Sequence, residues 1–152
     1  MTMLEMLISA AFLFSGFGSC GCKCLPVDDS ETTYEGGNMV EAYVEERKYR
    51  HLNGKVVDSN GIPLSEVLVE VFDNPEWIKQ KSLRTRGDQK RIAVCKTASD
   101  GVFCFKDIPK GKYELRLSKG RSWNPTHIYI EVEPKGSDAV SDPLEVWLTV
   151  GV

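Results

Sequence analysis

Histidine is scarce in these 152 residues: His51 and His127 are the only two. A zinc hydrolase needs a cluster of His and carboxylate ligands, and a Ser-His-Asp relay needs a histidine set between its partners. Each histidine here stands alone at what reads as a surface position, and solvated histidine is the expected account of both. Excess basic charge is lacking too. The net charge is −3, which argues against nucleic acid as a partner. The apolar run Leu7 to Phe17 falls short of the ~20 residues that a membrane-crossing helix needs. Strands do not alternate with helix-length periodic segments, so βαβ architecture is excluded.

What is present is a run of short strands and turns. Ala98-Ser-Asp-Gly101 supplies turn chemistry, with Gly taking positive φ and Asp bonding its own backbone. Phe103 and Phe105 alternate with smaller neighbours, and Pro109-Lys-Gly111 makes the next turn. Tyr113, Leu115 and Leu117 then alternate with Lys112, Glu114 and Arg116, which predicts an apolar face and a charged, outward face. Val67, Val69 and Val71 form one face of an earlier strand. Ile92 and Val94 are expected inward on the next. Ile128, Ile130 and Val132 follow, with Tyr129 outward, and then Leu144, Val146, Leu148 and Val150, with Trp147 outward. Met39 to Tyr49 fits either a short helix or an edge strand. About seven strands with apolar faces of this kind predict an all-β, two-sheet sandwich.

The N-terminal region divides in two. Residues 1–20 look like a signal segment: an apolar stretch, then Phe17-Gly-Ser-Cys20, which resembles a bacterial lipobox with Cys20 as the lipidated residue. An ordinary cleaved signal, a short anchor or a cytosolic chain are the alternatives. Residues 21–50 open as a polar, acidic tether, because Asp28-Asp-Ser-Glu-Thr-Thr-Tyr-Glu-Gly-Gly37 offers little apolar surface to offset its ordering entropy. Cys20, Cys22 and Cys24 do not have the paired C-x2-C spacing of a zinc site, so no metal is expected there. Residues 51–152 are the folded domain.

Asn74 to Gln89 interrupts the strand rhythm. Asp73-Asn-Pro-Glu76 resembles a helix start, and one or two helical turns are expected over Trp77 to Leu83. Lys79, Lys81, Arg84, Arg86, Lys90 and Arg91 form a basic patch: a solvated loop, or a contact surface for an acidic partner. The strands before and after the Ser99-Asp100 turn are expected to pair as a hairpin. That register sets Cys95 opposite Cys104, a disulfide candidate in an exported chain.

Gly54-Lys-Val-Val-Asp-Ser-Asn-Gly-Ile-Pro-Leu64, Val67-Leu-Val-Glu-Val71, Thr97-Ala-Ser-Asp-Gly-Val-Phe-Cys-Phe105 and Ile108-Pro-Lys-Gly-Lys-Tyr-Glu-Leu115 together resemble the carboxypeptidase regulatory-like domain. This is a transthyretin-like (prealbumin-like) domain related to Cna B-type repeats. The resemblance covers roughly Leu52 to Val150. It implies a seven-stranded Greek-key sandwich that is usually non-catalytic and serves exported or envelope proteins. Related folds hydrolyse hydroxyisourate or cleave catechols on iron, but the histidine motifs of both are missing here. Isopeptide cross-linking needs a buried Lys, and no inward position offers one.

The expectation is therefore a non-enzymatic, cofactor-free module, envelope-associated or secreted, on the periplasmic or outer-membrane side if lipid-anchored. Its role would be structural or protein-interacting, with a protein or glycan of the envelope as partner. The alternative is a carbohydrate-binding module using Trp77, Trp123, Tyr129 and Trp147. Trp77, Lys79, Lys81, Arg84, Arg86, Trp123, Tyr129 and Trp147 are the candidate binding residues.

Overall fold

A computed structural model of the chain describes residues 24–33, 39–75 and 84–151. Among them are eight strands and no helix: β1 (Glu41–Tyr49), β2 (Leu52–Val57), β3 (Leu68–Phe72), β4 (Arg91–Lys96), β5 (Val102–Phe105), β6 (Gly111–Ser118), β7 (Thr126–Val132) and β8 (Leu144–Trp147). They build a five-stranded sheet, β1-β7-β6-β3-β4, and a three-stranded sheet, β5-β2-β8. Both sheets are mixed. β1 runs parallel to β7 and β2 parallel to β8, while the other pairs are antiparallel.

The core lies between the sheets, as the period-two pattern requires. Val69, Val71, Leu115, Leu117, Ile128 and Ile130 of the larger sheet meet Leu52, Val56, Phe103, Leu144 and Val146 of the smaller. The stretch 39–49, ambiguous in sequence, is an edge strand over Glu41–Tyr49, with a register shift between Val44 and Lys48. Arg50 and His51 then carry the chain from one sheet to the other, and Tyr49 and Leu52 on either side of that corner are both buried in the core.

The segment around Ser99-Asp100 is an arch between sheets, not a hairpin. β4 pairs with β3, setting Cys95 against Val69, and β5 pairs with β2, setting Cys104 against Asn53. Side-chain and backbone hydrogen bonds hold the crossing. Thr97 Oγ1 donates to the Leu64 carbonyl at 2.7 Å and accepts from Val67 N–H at 3.0 Å. Val56 N–H donates to the Gly101 carbonyl at 2.8 Å. Gly101 has φ +72°, and a Cβ there would sit 2.5 Å from the Val56 carbonyl oxygen, so both conformation and space select glycine. The crossing also reverses the expected facing of β4: Ala93 and Cys95 pack on the core, whereas Ile92 is exposed. Val150 is exposed as well, against expectation, because regular pairing of the last strand stops at Trp147.

Gly54 sits in the middle strand of the smaller sheet, where the Phe103 ring lies across its backbone. A Cβ there would fall on the Leu144 carbonyl oxygen and 2.6 Å from Phe103 Cζ. Gly54→Ala should therefore force β8 and Phe103 apart and destabilise the protein by about 1–3 kcal/mol, read from the urea midpoint. An unchanged midpoint would show that the close approach is not essential.

Candidate functional site: the covered face of the larger sheet

The outer face of the five-stranded sheet carries Glu70 and Phe72 from β3, Glu114 and Arg116 from β6, and His127 and Tyr129 from β7. The registers Glu70↔Arg116, Arg116↔His127 and Glu114↔Tyr129 place them side by side. The alternation on β6 predicted a solvated charged face. Instead Glu114 and Arg116 are each 3% exposed and His127 is 1% exposed. They are hidden because two chain segments lie over them.

The first cover is the N-terminal segment 24–33, expected as a free polar tether. Leu25 makes an antiparallel bridge to Lys96, with Leu25 N–H donating to the Lys96 carbonyl at 2.8 Å. Arg91 donates to the carbonyls of Glu31 and Asp29 at 2.5 and 2.7 Å, and to Glu70 Oε2 at 3.1 Å. Thr33 N–H and its hydroxyl both donate to Glu70 Oε1. Lys96 pairs with Glu31 at 2.8 Å. The segment is short of apolar surface, but bonds to a buried carboxylate and a half-buried arginine replace it. Arg91 is thereby removed from the expected basic surface patch.

The second cover is residues 84–89. Arg116 Nε donates to Glu114 Oε1 at 2.8 Å, and its terminal nitrogens donate to Gln89 Oε1 at 2.9 Å and Thr85 Oγ1 at 3.2 Å. Gln89 Nε2 returns a bond to Glu114 Oε2 at 2.6 Å, closing a ring of three side chains. The guanidinium lies 4.1 Å from the centre of the Phe72 ring, a cation–π stack. His127 Nδ1 is 3.2 Å from Glu114 Oε1 but out of line for a hydrogen bond, and neither ring nitrogen has a partner among the described residues. Burial is the main cause that drives the imidazole pKa down to about 4, so His127 is neutral near pH 7. The expected solvated histidine is thus a buried one, while His51 is exposed.

Beside this network is a cavity of about 300 Å³, lined by Val44, Pro75 and Tyr129 together with Glu45, Glu46, Glu131 and Lys112. Of the expected aromatic surface, only Tyr129 reaches it among the described residues. Trp123 is half-buried against the core at a bridge to Val150. Trp147 is 59% exposed on β8 of the other sheet, its indole N–H donating to Glu145 at 2.6 Å. Trp77, Lys79 and Lys81 lie outside the described residues, as do the helical turns expected at 77–83 and the lipidation candidate Cys20. Arg84 is exposed. Arg86 is turned back on its loop, donating to the Asn74 carbonyl and pairing with Asp88 at 3.6 Å.

The cysteines do not follow the hairpin pairing. Cys95 is a buried free thiol, Cys24 is a half-buried free thiol, and Cys104 is disulfide-bonded, to neither of them. The arch explains this: it puts Cys95 and Cys104 on strands of different sheets. Cys24, which the sequence marked only as a member of an odd cluster, lies against both. Its Sγ accepts from Cys104 N–H at 3.4 Å, and Cys24 packs against the core cluster that includes Cys95. Glu70 and Gln89 were also missed. Glu70 stands inside the apolar run Leu-Val-Glu-Val-Phe, where an isolated acid on a buried strand is itself a signal of a buried partner. Among the described residues no group of three or more His, Cys, Asp or Glu could hold a metal ion. Compared with models of protein families and with curated proteins, the chain matches none.

Proposed function

We propose that this chain is a non-catalytic β-sandwich module of the cell envelope or of the secreted fraction, acting in structure or protein interaction. The observation that carries protein contact over sugar contact is the dispersal of the described aromatics. A sugar-stacking platform needs coplanar rings on one surface. Here Trp147 is on the outer face of the smaller sheet, Trp123 is against the core, and Tyr129 is under the covered face of the larger. The two mixed sheets are compatible with a Greek-key, carboxypeptidase regulatory-like domain. The clamped segment 24–33 fits an anchoring role: force applied at the N-terminal side would enter the sandwich through Arg91 and Glu70 in β4 and β3. The reading adds export, with Cys20 lipidated, and an envelope protein as partner.

Two measurements test it. The intact mass of the protein from its own cells should show a mature chain starting at Cys20 with acyl mass, and a full-length unmodified chain would overturn the envelope assignment. For the contact surface, Lys79→Gln, Lys81→Gln and Arg84→Gln together should abolish partner recovery in a pull-down while moving Tm by less than about 2 °C. Arg86 is left intact because it fastens the loop to Asn74. Unchanged recovery would remove the basic loop from the interface, and selective retention on a polysaccharide column would favour the glycan reading.

A further inference from the structure

Three described cysteines converge where the N-terminal segment meets β4 and β5. Cys95 is 5% exposed and belongs to the core. Cys24 is half-buried and packs on that core from outside. The Leu25–Lys96 bridge holds the Cys24 backbone beside β4, Cys24 packs against the core cluster that includes Cys95, and its sulfur meets the backbone of Cys104, whose carbonyl is 3.5 Å away. Two neighbouring free thiols, one partly exposed and one buried, form an ordered pair: an attacking sulfur and a resolving sulfur.

We propose that Cys24 and Cys95 are a redox-active dithiol that closes to a further disulfide by reaction with a small disulfide such as oxidised glutathione. The Cys24 thiolate attacks one glutathione sulfur. The Cys24–glutathione bond forms, the glutathione disulfide breaks, and the first glutathione leaves as its thiolate. Cys95 gives up its proton and attacks the Cys24 sulfur. The Cys24–Cys95 bond forms and the second glutathione leaves. Two thiols of the protein are oxidised by two electrons, one disulfide is reduced to two thiols, and the two protons released by the protein go to the departing thiolates.

The surroundings divide the roles in the same way. A hydrogen bond from the Cys95 thiol, aided by the Cys104 N–H, brings Cys24 down to about 6 against the opposing effect of burial. Cys24 is therefore the more readily ionised of the two thiols. The same hydrogen bond and burial push Cys95 upward, so it keeps its proton until the mixed disulfide removes the neighbouring charge. Closure needs the sulfurs to approach to ~2 Å. A bridge of one residue pair leaves the Cys24 backbone able to follow. The product would bolt segment 24–33 covalently to β4. This inference stands apart from the module reading, since it needs only a disulfide oxidant.

The test equilibrates the full chain, its existing disulfide intact, in glutathione buffers of increasing oxidation, followed by alkylation and peptide mapping. The expected product is a Cys24–Cys95 cross-linked peptide with two hydrogens lost and little glutathione adduct. In Cys95→Ala the adduct should persist on Cys24 at roughly ten times the wild-type level or more, for want of a resolving thiol. In Cys24→Ala, Cys95 should stay unmodified, and this variant carries the test if Cys95→Ala fails to fold. Three results would each overturn the proposal: equal adduct in wild type and Cys95→Ala, a cross-link from Cys24 to Cys104 instead, or oxidation of Cys95 at an undiminished rate without Cys24.

Discussion

Arg116→Ala should destabilise the protein by about 3–5 kcal/mol, seen as a large fall in the urea midpoint. The substitution strands the Glu114 carboxylate, 3% exposed, without its guanidinium. It also leaves Gln89 Oε1 and Thr85 Oγ1 without their donor and removes the cation stacked on Phe72. A buried ion pair contributes little net energy when intact, because desolvation offsets attraction, but breaking it exposes the whole penalty on the surviving charge. That reasoning fixes a second outcome. Glu114→Leu combined with Arg116→Met should cost much less than the sum of the single changes, since no charge is left unpaired. Additive losses in the double variant would show that the pair is not coupled, and a loss below about 1 kcal/mol in Arg116→Ala would show that the face is effectively wet.

Acidification should destabilise the wild type through His127, by about 3 kcal/mol between pH 6.5 and 4. The folded value of about 4 lies below the ordinary histidine value of 6.5, so in this window the unfolded chain takes up a proton that the folded chain refuses. Stability thus falls as pH drops from about 6.5 and levels off, for this group, below about 4. Burial is the main cause of the shift. Glu114 opposes it and Arg116 reinforces it. His127→Gln removes the titration, so urea midpoints taken across the window should converge for variant and wild type toward pH 4. Parallel curves would refute the burial effect. The two predictions also interact, because loss of the Arg116 charge removes one of the influences holding His127 down.

The inward sets of β3, β6 and β7 were legible because the period of two needs no tertiary knowledge: Val67, Val69 and Val71, or Ile128, Ile130 and Val132, could face only a core, whereas β4 turns the other way and leaves Ile92 exposed. The outer face was misjudged for a matching reason. Lys112, Glu114 and Arg116 are equivalent in pattern, yet Lys112 is exposed while the other two are buried. The difference comes from segments remote in sequence that fold over them, and no local period encodes that. Hairpin or arch at Ser99-Asp100 was likewise undecidable from the turn residues, which suit both. The choice is made by Thr97, whose hydroxyl bonds to Leu64 and Val67 on the far side of the turn. The pairing of Cys95 and Cys104 failed with the hairpin. Cys24 as a neighbour of Cys95 depends on the docked segment 24–33, which composition alone marked as loose.

The two parallel pairings have a consequence for how the protein is made. Glu41 finds its partner in Thr126, and Gly54 in Leu144, so each sheet needs a strand from near the end of the chain to complete a strand from near the start. During synthesis β1 emerges without any of its ladder, and β2 with only the prospect of β5 on one side. Contacts so distant along the chain are slow to form, because a large loop must close before any bond rewards it. The larger sheet therefore waits for β7 and the smaller for β8. Until those strands are made, β1 and β2 keep unpaired edges that are open to capture by other chains.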